Sequence, residues 1–493
     1  MLCWLAAPLM RRRLLPALFV PVALALGLLL ARLTPPFQNP DEFAHLLRAE
    51  QVSRGIWLGQ RVDCAAAPDP GLCRLSDDVA FGVVPGRATT GGMVDAGLLE
   101  LAAVYRDLPF QRDRKATPAM ADAAMRIGWT GRLHPAAFTN TAVYPPLLYL
   151  PAAATLGTAR MAGMPPPSAF RLARAVNLLI AIGLAALALH LCGRGRASMA
   201  VLLVLPMTLA LGGSIAPDGM LIAGAALGAS ILSRAMQREA GLSWGAILGF
   251  GAVVLALALA RPPYLLLGLL ALAAPAATPL GPAGSWPSRL LRLAVLLPAG
   301  LAALGWMATA APVMVPVQLP EVQPDLTAQA RFLLEHPLRL PEILARTAAV
   351  SGASILRQAI GVLGWLDTPL PGLVYLAAIM ALVLALAADG GGLDGRPGPE
   401  GRAVLLAAVV LAGTVTAIAL ALYLSYSPVG HPVVQGIQGR YLLPLLLLAL
   451  PFLPRLVPPR PWSGPAAGLG IVALILCVGL LVPARLITRY GWP

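Results

Sequence analysis

Apolar runs of about 17–22 residues recur along this chain from Leu14 to about residue 483, and that is the length an α-helix needs to cross the hydrocarbon of a bilayer. In lipid, backbone polar groups must be satisfied inside the segment or by a closed barrel. The ten-residue alternation of an outer-membrane barrel is not found, so the runs read as helices. Spans are expected near residues 14–33, 171–192, 198–215, 219–235, 243–260, 263–279, 293–312, 371–388, 404–424, 442–454 and 466–483. The expected fold class is an all-α polytopic membrane protein with about eleven transmembrane helices, a single integral membrane domain over residues 1–493. At 58% hydrophobic and 12% charged residues, an ordinary soluble domain is excluded.

A net charge of +14 would suggest a nucleic-acid partner in a soluble chain. Here the arginines fall mostly in short loops between apolar runs, where they act as topology signals, so no nucleic acid is expected. The segment 144–160 decides the arrangement, because it is short, broken by prolines and ends at Arg160. If it lies on the surface, Arg11, Arg12, Arg13, Arg194, Arg196, Arg234, Arg238, Arg289, Arg292, Arg396, Arg402, Arg455 and Arg460 share one side. The short loops and tail of the other side then carry Arg261, Arg440, Arg485 and Arg489. The positive-inside rule selects this arrangement, with a cytoplasmic N-terminus and two large extracytoplasmic loops, 34–169 and 313–370. The run after Arg11–Arg13 is read as an uncleaved anchor rather than a signal peptide. The glycine-rich stretch 389–395 reads as a flexible link. Cys64 and Cys73 share the first large loop, where a disulfide would add roughly 2–3 kcal/mol, with two free thiols as the alternative. Cys3, Cys192 and Cys477 lie in or beside apolar runs and are expected to be inert.

Charged residues beside lipid are costly and mark functional sites by default. After the first span come Asn39-Pro40-Asp41-Glu42 and then His45 and Arg48. Asn before Pro, with Glu three residues after Asn, is a capping-box pattern, so the two acids have a structural reading as the start of an amphipathic helix to about Ser53. Asp41, His45 and Arg48 are spaced i, i+4, i+7 and fall on one helical face. That face suits a carboxylate base beside groups that bind a phosphorylated lipid. Asp218, in Ser214-Ile215-Ala216-Pro217-Asp218-Gly219, is either ordinary turn chemistry or a second acid of the same site. Arg171 and Arg174 are phosphate ligands or interfacial anchors, and Arg261 leans toward a snorkelling anchor. Asp367, after Trp365, caps a following helix or binds substrate. Gln438 and Arg440 sit in Gln435-Gly436-Ile437-Gln438-Gly439-Arg440-Tyr441, whose glycines permit close approach of a ligand. Walker, dinucleotide, zinc-protease and nucleophile-elbow motifs are not found, so a donor substrate is expected to be carried in the membrane.

Several segments resemble, in order, an uncharacterised family of bacterial polytopic membrane proteins: PPFQNPDEFAHLLRAEQVSRG, YPPLLYLPAA, SIAPDG, GVLGWLDTPLP and GIQGRYLLP. That family looks like part of the type-C glycosyltransferase superfamily, whose members take a sugar from a polyprenyl-phosphate carrier to an acceptor at the outer face of the membrane. The resemblance implies that Asp41 and Glu42 form the acidic motif of the first outward loop, with Asp218 as the second acidic site. It implies juxtamembrane helices at 41–53 and 144–160, and a phosphate-binding arginine among Arg171, Arg261 and Arg440. It places the chain in the bacterial inner membrane, with a glycan or lipid acceptor and membrane lipids as further partners. Some superfamily members need a divalent cation; the motif here is Asp-Glu rather than Asp-x-Asp, so the metal is left open. The lack of a large C-terminal soluble domain makes a peptide acceptor less expected. The expected activity is an inverting sugar transfer with Asp41 as base and Glu42 and Asp218 in support; a lipid-linked-glycan transporter and a non-catalytic envelope scaffold are the alternatives.

Overall fold

The computed structural model describes residues 14–236, 242–274, 276–282, 284–294, 296–320, 324–391, 400–453 and 462–491. Arg11–Arg13, Cys3 and most of the 389–395 link lie outside them, as do Arg238, Arg396, Arg455 and Arg460.

Six helices among the described residues are long and apolar enough to cross a membrane: Leu14–Leu33, Pro166–Leu191, Trp286–Ala310, Gly372–Asp389, Gly401–Tyr426 and Ser463–Tyr490. The expectation of eleven is corrected to these. Most of the remaining apolar runs are short or broken. Residues 198–215 divide into Arg196–Leu203 and Pro206–Gly212. Residues 263–279 give a 3-10 turn, Pro262–Leu269, and a single helical turn, Leu270–Ala273. Residues 442–454 give Leu443–Ala449 and another 3-10 turn, Leu450–Phe452. Pro206 and Pro262 each open a new piece, and Pro263, Pro444 and Pro451 stand second in one, because proline lacks the N–H that would continue the preceding helix. Such breaks are tolerated at membrane depth when the segment is enclosed by protein, and Pro206–Gly212 is buried throughout. Trp244–Ala260 has 17 residues, and Asp218–Ala235 is a largely buried helix with an ionisable residue near each end.

The loop between the first two long helices is not all-helical. It holds a three-stranded antiparallel sheet in the order β1 (Gln60–Val62), β2 (Thr89–Asp95), β3 (Leu133–Ala137). Gly91 pairs with Ala137, and a Cβ there would collide with the carbonyl of Ala136, so β2 and β3 approach closely only with glycine at this point. The Glu42–Ser53 helix packs under this sheet and against Leu150–Met161. It is buried from Glu42 to Val52 and so does not present an amphipathic face to the membrane surface as expected. The sheet and its flanking helices enclose it. At 12 residues, Leu150–Met161 is too short to cross a bilayer. Cys64 and Cys73 are joined by a disulfide beside Ala137.

The second large loop starts as an extended strap over the first. Thr90 Oγ1 donates to Val313 O (2.5 Å), Arg61 Nη2 to Met314 O (2.9 Å) and Arg87 Nη2 to Gln318 O (2.9 Å). It continues through the helices Leu326–Glu335 and Arg339–Gly361 into a small hairpin, Val362–Leu363 with Thr368–Pro369. The two loops and the adjoining helix ends enclose the candidate site.

Candidate functional site

A cavity of ≈ 380 Å³ lies where these loops meet the helix ends. Asp41, His45, Asp218, Arg261, Gln438 and Arg440, all singled out from the sequence, line it. Asp41 caps the Glu42–Ser53 helix with a left-handed backbone (φ 59°), and its side chain makes no cap hydrogen bond. Its carboxylate instead accepts from Asn140 Nδ2 (3.0 Å) and Arg440 Nη2 (2.8 Å). Asp218 opens its helix after a tight turn and accepts from Arg261 Nη2 (2.7 Å), with Arg440 Nη1 3.6 Å from its second oxygen. Arg440 thus lies between the two acids. Arg261 stands 4.4 Å over the ring of Tyr441 and is largely shielded, so it is part of the site rather than a snorkelling anchor.

Gly439 brings Arg440 in. A Cβ at this position would meet the backbone of Ile355 and Ala359, so the Gly439–Leu442 turn seats directly on the Arg339–Gly361 helix. This glycine serves helix packing, where ligand approach was expected. Arg440 is 4% exposed, and its Nε and Nη1 have no hydrogen-bond acceptor among the described residues. Asn140 Oδ1 and Gln438 Oε1 are likewise buried without a donor. The amide of Asn140 is oriented by its neighbour, since a carboxylate accepts and the NH2 must therefore face Asp41. The charged and amide side chains of Asp41, Asp218, Arg261, Arg440, Asn140 and Gln438 on one cavity suit a polar ligand with both acceptors and donors.

His45 is buried, and its Nδ1 lies 2.7 Å from the hydroxyl of Tyr149. Burial lowers its pKa to about 4, against the pull of Asp41 and Asp218, so at neutral pH it is an uncharged imidazole. It therefore adds no cation to the site.

Glu42 points elsewhere. It is fully buried and clamped by Arg174, with Nε to Oε1 at 2.8 Å and Nη2 to Oε2 at 2.5 Å. Arg174 also donates to the carbonyls of Ala31, Thr34 and Pro35. Glu42 further accepts from Ile215 N (3.2 Å), in the turn that leads to Asp218. The capping box is not formed: Asn39 Nδ2 donates to Glu42 Oε2 (3.3 Å), and the helix begins at Glu42. Asp41 in a left-handed conformation turns the two adjacent acids apart, which places Glu42 outside the cavity and corrects its catalytic assignment. Arg48 is also removed from the site. Its guanidinium is used by Tyr144 O (3.1 and 2.7 Å), Gln51 Oε1 (2.5 Å) and the carbonyl of Trp57. Arg171 is exposed near Met125 Sδ, and Asp367 pairs with Arg489 at 3.0 Å; neither lines the cavity.

Asn140, Tyr144, Tyr426, Phe110 and Tyr441 line the cavity and were not singled out from the sequence. Tyr441 follows Arg440 directly and Tyr144 opens the 144–160 segment; Phe110 sits in the charged run from Arg106 to Lys115, which carries no motif, and Asn140 and Tyr426 lie in segments without charge. A divalent cation does not fit. No group of three or more His, Cys, Asp or Glu among the described residues is arranged to hold one. Both cavity carboxylates are already paired with arginines, whose charges oppose a second cation.

Residues 24–449 match the model of a family described as predicted membrane protein (DUF2142), and the chain belongs to that family. No curated protein and no solved structure matches it.

Proposed function

We propose that this DUF2142 membrane protein is a glycosyltransferase that moves a sugar from a polyprenyl-phosphate carrier to an acceptor hydroxyl, at the extracytoplasmic face of the bacterial inner membrane. The observation that carries the reading is Arg440: buried, held between Asp41 and Asp218, beside Arg261 in the same cavity. Guanidinium groups in a shielded site stabilise a departing phosphate far better than they would in water. The acceptor oxygen attacks the anomeric carbon as the bond from that carbon to the phosphate oxygen breaks. The phosphate leaves as an anion against Arg440 and Arg261, and the hydroxyl proton passes to Asp41. One in-line displacement inverts the anomeric centre. Asp41 retains lone pairs beyond those used by Asn140 and Arg440, and Asp218 holds both arginines in place.

The test is the envelope glycan composition of a deletion strain complemented with wild type or Asp41→Asn, at matched protein levels in the membrane. A defined sugar is expected to be lost on deletion and restored by wild type alone. Full restoration by Asp41→Asn removes Asp41 as the base.

A further inference from the structure

Above its charged floor the cavity has two apolar walls of different origin. Leu221, Ala260 and Leu422 belong to the bundle helices. Phe110 and Trp365 belong to the two large loops, with ring centroids 5.4 Å apart and planes at 53°. Phe110 is 51% exposed and lines the cavity from the first large loop. One arginine holds both carriers. Arg489 donates to Leu108 O (2.9 Å) and Arg114 O (3.1 Å) on either side of Phe110, and to Asp367 (3.0 Å) just beyond Trp365. The indole is pinned as well, with Nε1 donating to Phe37 O at 2.8 Å.

The backbone agrees. The non-glycine residues with positive φ among the described residues are Phe37, Asp41, Phe110 and Leu366. Three of them line the cavity, and the fourth supplies the carbonyl that fixes Trp365. Such conformations are costly and persist where surrounding structure imposes them, which is most often at functional sites. Asn140 and Gln438 line the same cavity with amide side chains, which pair with hydroxyl groups as donors or acceptors.

We infer that the Phe110–Trp365 pair is a saccharide subsite: it takes the C–H face of a sugar ring while the ring's hydroxyls meet the polar side chains of Asn140 and Gln438 on the same cavity. Aromatic faces and polar side chains together match the amphipathic faces of a pyranose, and a fixed platform loses little entropy on binding. This rests on the transferase reading for the donor side, where Arg440 and Arg261 take the phosphate.

The experiment uses the full chain in nanodiscs of phosphatidylethanolamine and phosphatidylglycerol, free of sugar detergents. Ligand-observed saturation-transfer NMR is recorded with methyl glycosides of gluco, galacto, manno and N-acetylgluco configuration, and separately with farnesyl phosphate. Saturation is expected at the ring C–H protons of at least one glycoside, with affinity falling about 10-fold in Phe110→Ala and kept in Phe110→Tyr. Phe110 is half-exposed, so these variants test the surface and not the fold. Binding of no glycoside, or equal binding by Phe110→Ala, overturns the subsite. If a glycoside binds through Phe110 while farnesyl phosphate does not bind, the subsite stands and the donor reading falls.

Discussion

Replacing Glu42 with glutamine keeps the shape of the side chain and removes the charge that neutralises Arg174. Glu42 and Arg174 side chains are 0% and 3% exposed, so water cannot take over. Leaving a buried charge without its partner costs roughly 3–5 kcal/mol. The new amide group also faces Arg174 or the Ile215 N–H with the wrong polarity, since both of these are donors. Domain stabilities are about 5–15 kcal/mol, so the loss is a large fraction of the whole. Asp41→Asn, one residue earlier, is a much milder change, because that side chain is 20% exposed at the cavity and keeps an oxygen for Arg440. Unfolding of a membrane protein is commonly irreversible, so the assay is the half-life of monodisperse protein at fixed temperature in detergent. Glu42→Gln is expected to shorten it by well over tenfold and Asp41→Asn by less than about threefold. The double variant Glu42→Gln, Arg174→Met removes the stranded cation and is expected to recover much of the loss. Equal half-lives for Glu42→Gln and Asp41→Asn, or a double variant no better than the worse single one, would refute the division of labour between these adjacent acids.

Other expectations follow from the same geometry. Asp41→Asn lowers sugar transfer by at least about 100-fold at unchanged protein level, read from labelled glycan in membranes. Arg440→Lys keeps the charge but loses the planar fork, and farnesyl phosphate affinity drops about 10-fold or more by saturation-transfer NMR. His45 has a folded pKa of about 4, below its unfolded value of 6.5. Its contribution is therefore complete above pH 6.5 and is lost as pH falls toward 4, by up to roughly 3 kcal/mol. Asp77, pushed up to about 6 by burial, works in the opposite sense, so the comparison is wild type against His45→Gln, whose stability should lack this acid-side decline. Cys64→Ser opens a loop of sequence separation 9 and costs about 2–3 kcal/mol, seen as faster proteolysis of the first large loop; equal protease resistance would show the bond to be dispensable.

Much of the scaffold is legible in the chain because lipid imposes a one-dimensional constraint: a helix must be long and apolar, and Leu14–Leu33, Gly401–Tyr426 and Ser463–Tyr490 announce themselves. Where the reading overcounted, hydropathy outweighed the prolines. The runs around Pro206, Pro262 and Pro444 are as greasy as spans but are divided into pieces that only a surrounding protein can satisfy. The sheet was missed because β2, Thr-Thr-Gly-Gly-Met-Val-Asp, has no alternation; its pairing rests on glycine allowing Ala136 to approach.

By itself the sequence determined that the protein lives in a membrane, that its polar chemistry gathers in a few loop segments, and that Asp41, His45, Asp218, Arg261, Gln438 and Arg440 were worth attention. Only the tertiary structure decided which of the neighbouring charges belong together. Asp41 meets Arg440 across 399 residues, while Glu42 turns away into a clamp with Arg174. Sequence spacing encodes which face of a helix a residue occupies. It does not encode the backbone turn at Asp41, nor the packing of distant segments that makes one carboxylate a girder and leaves the other open to a cavity.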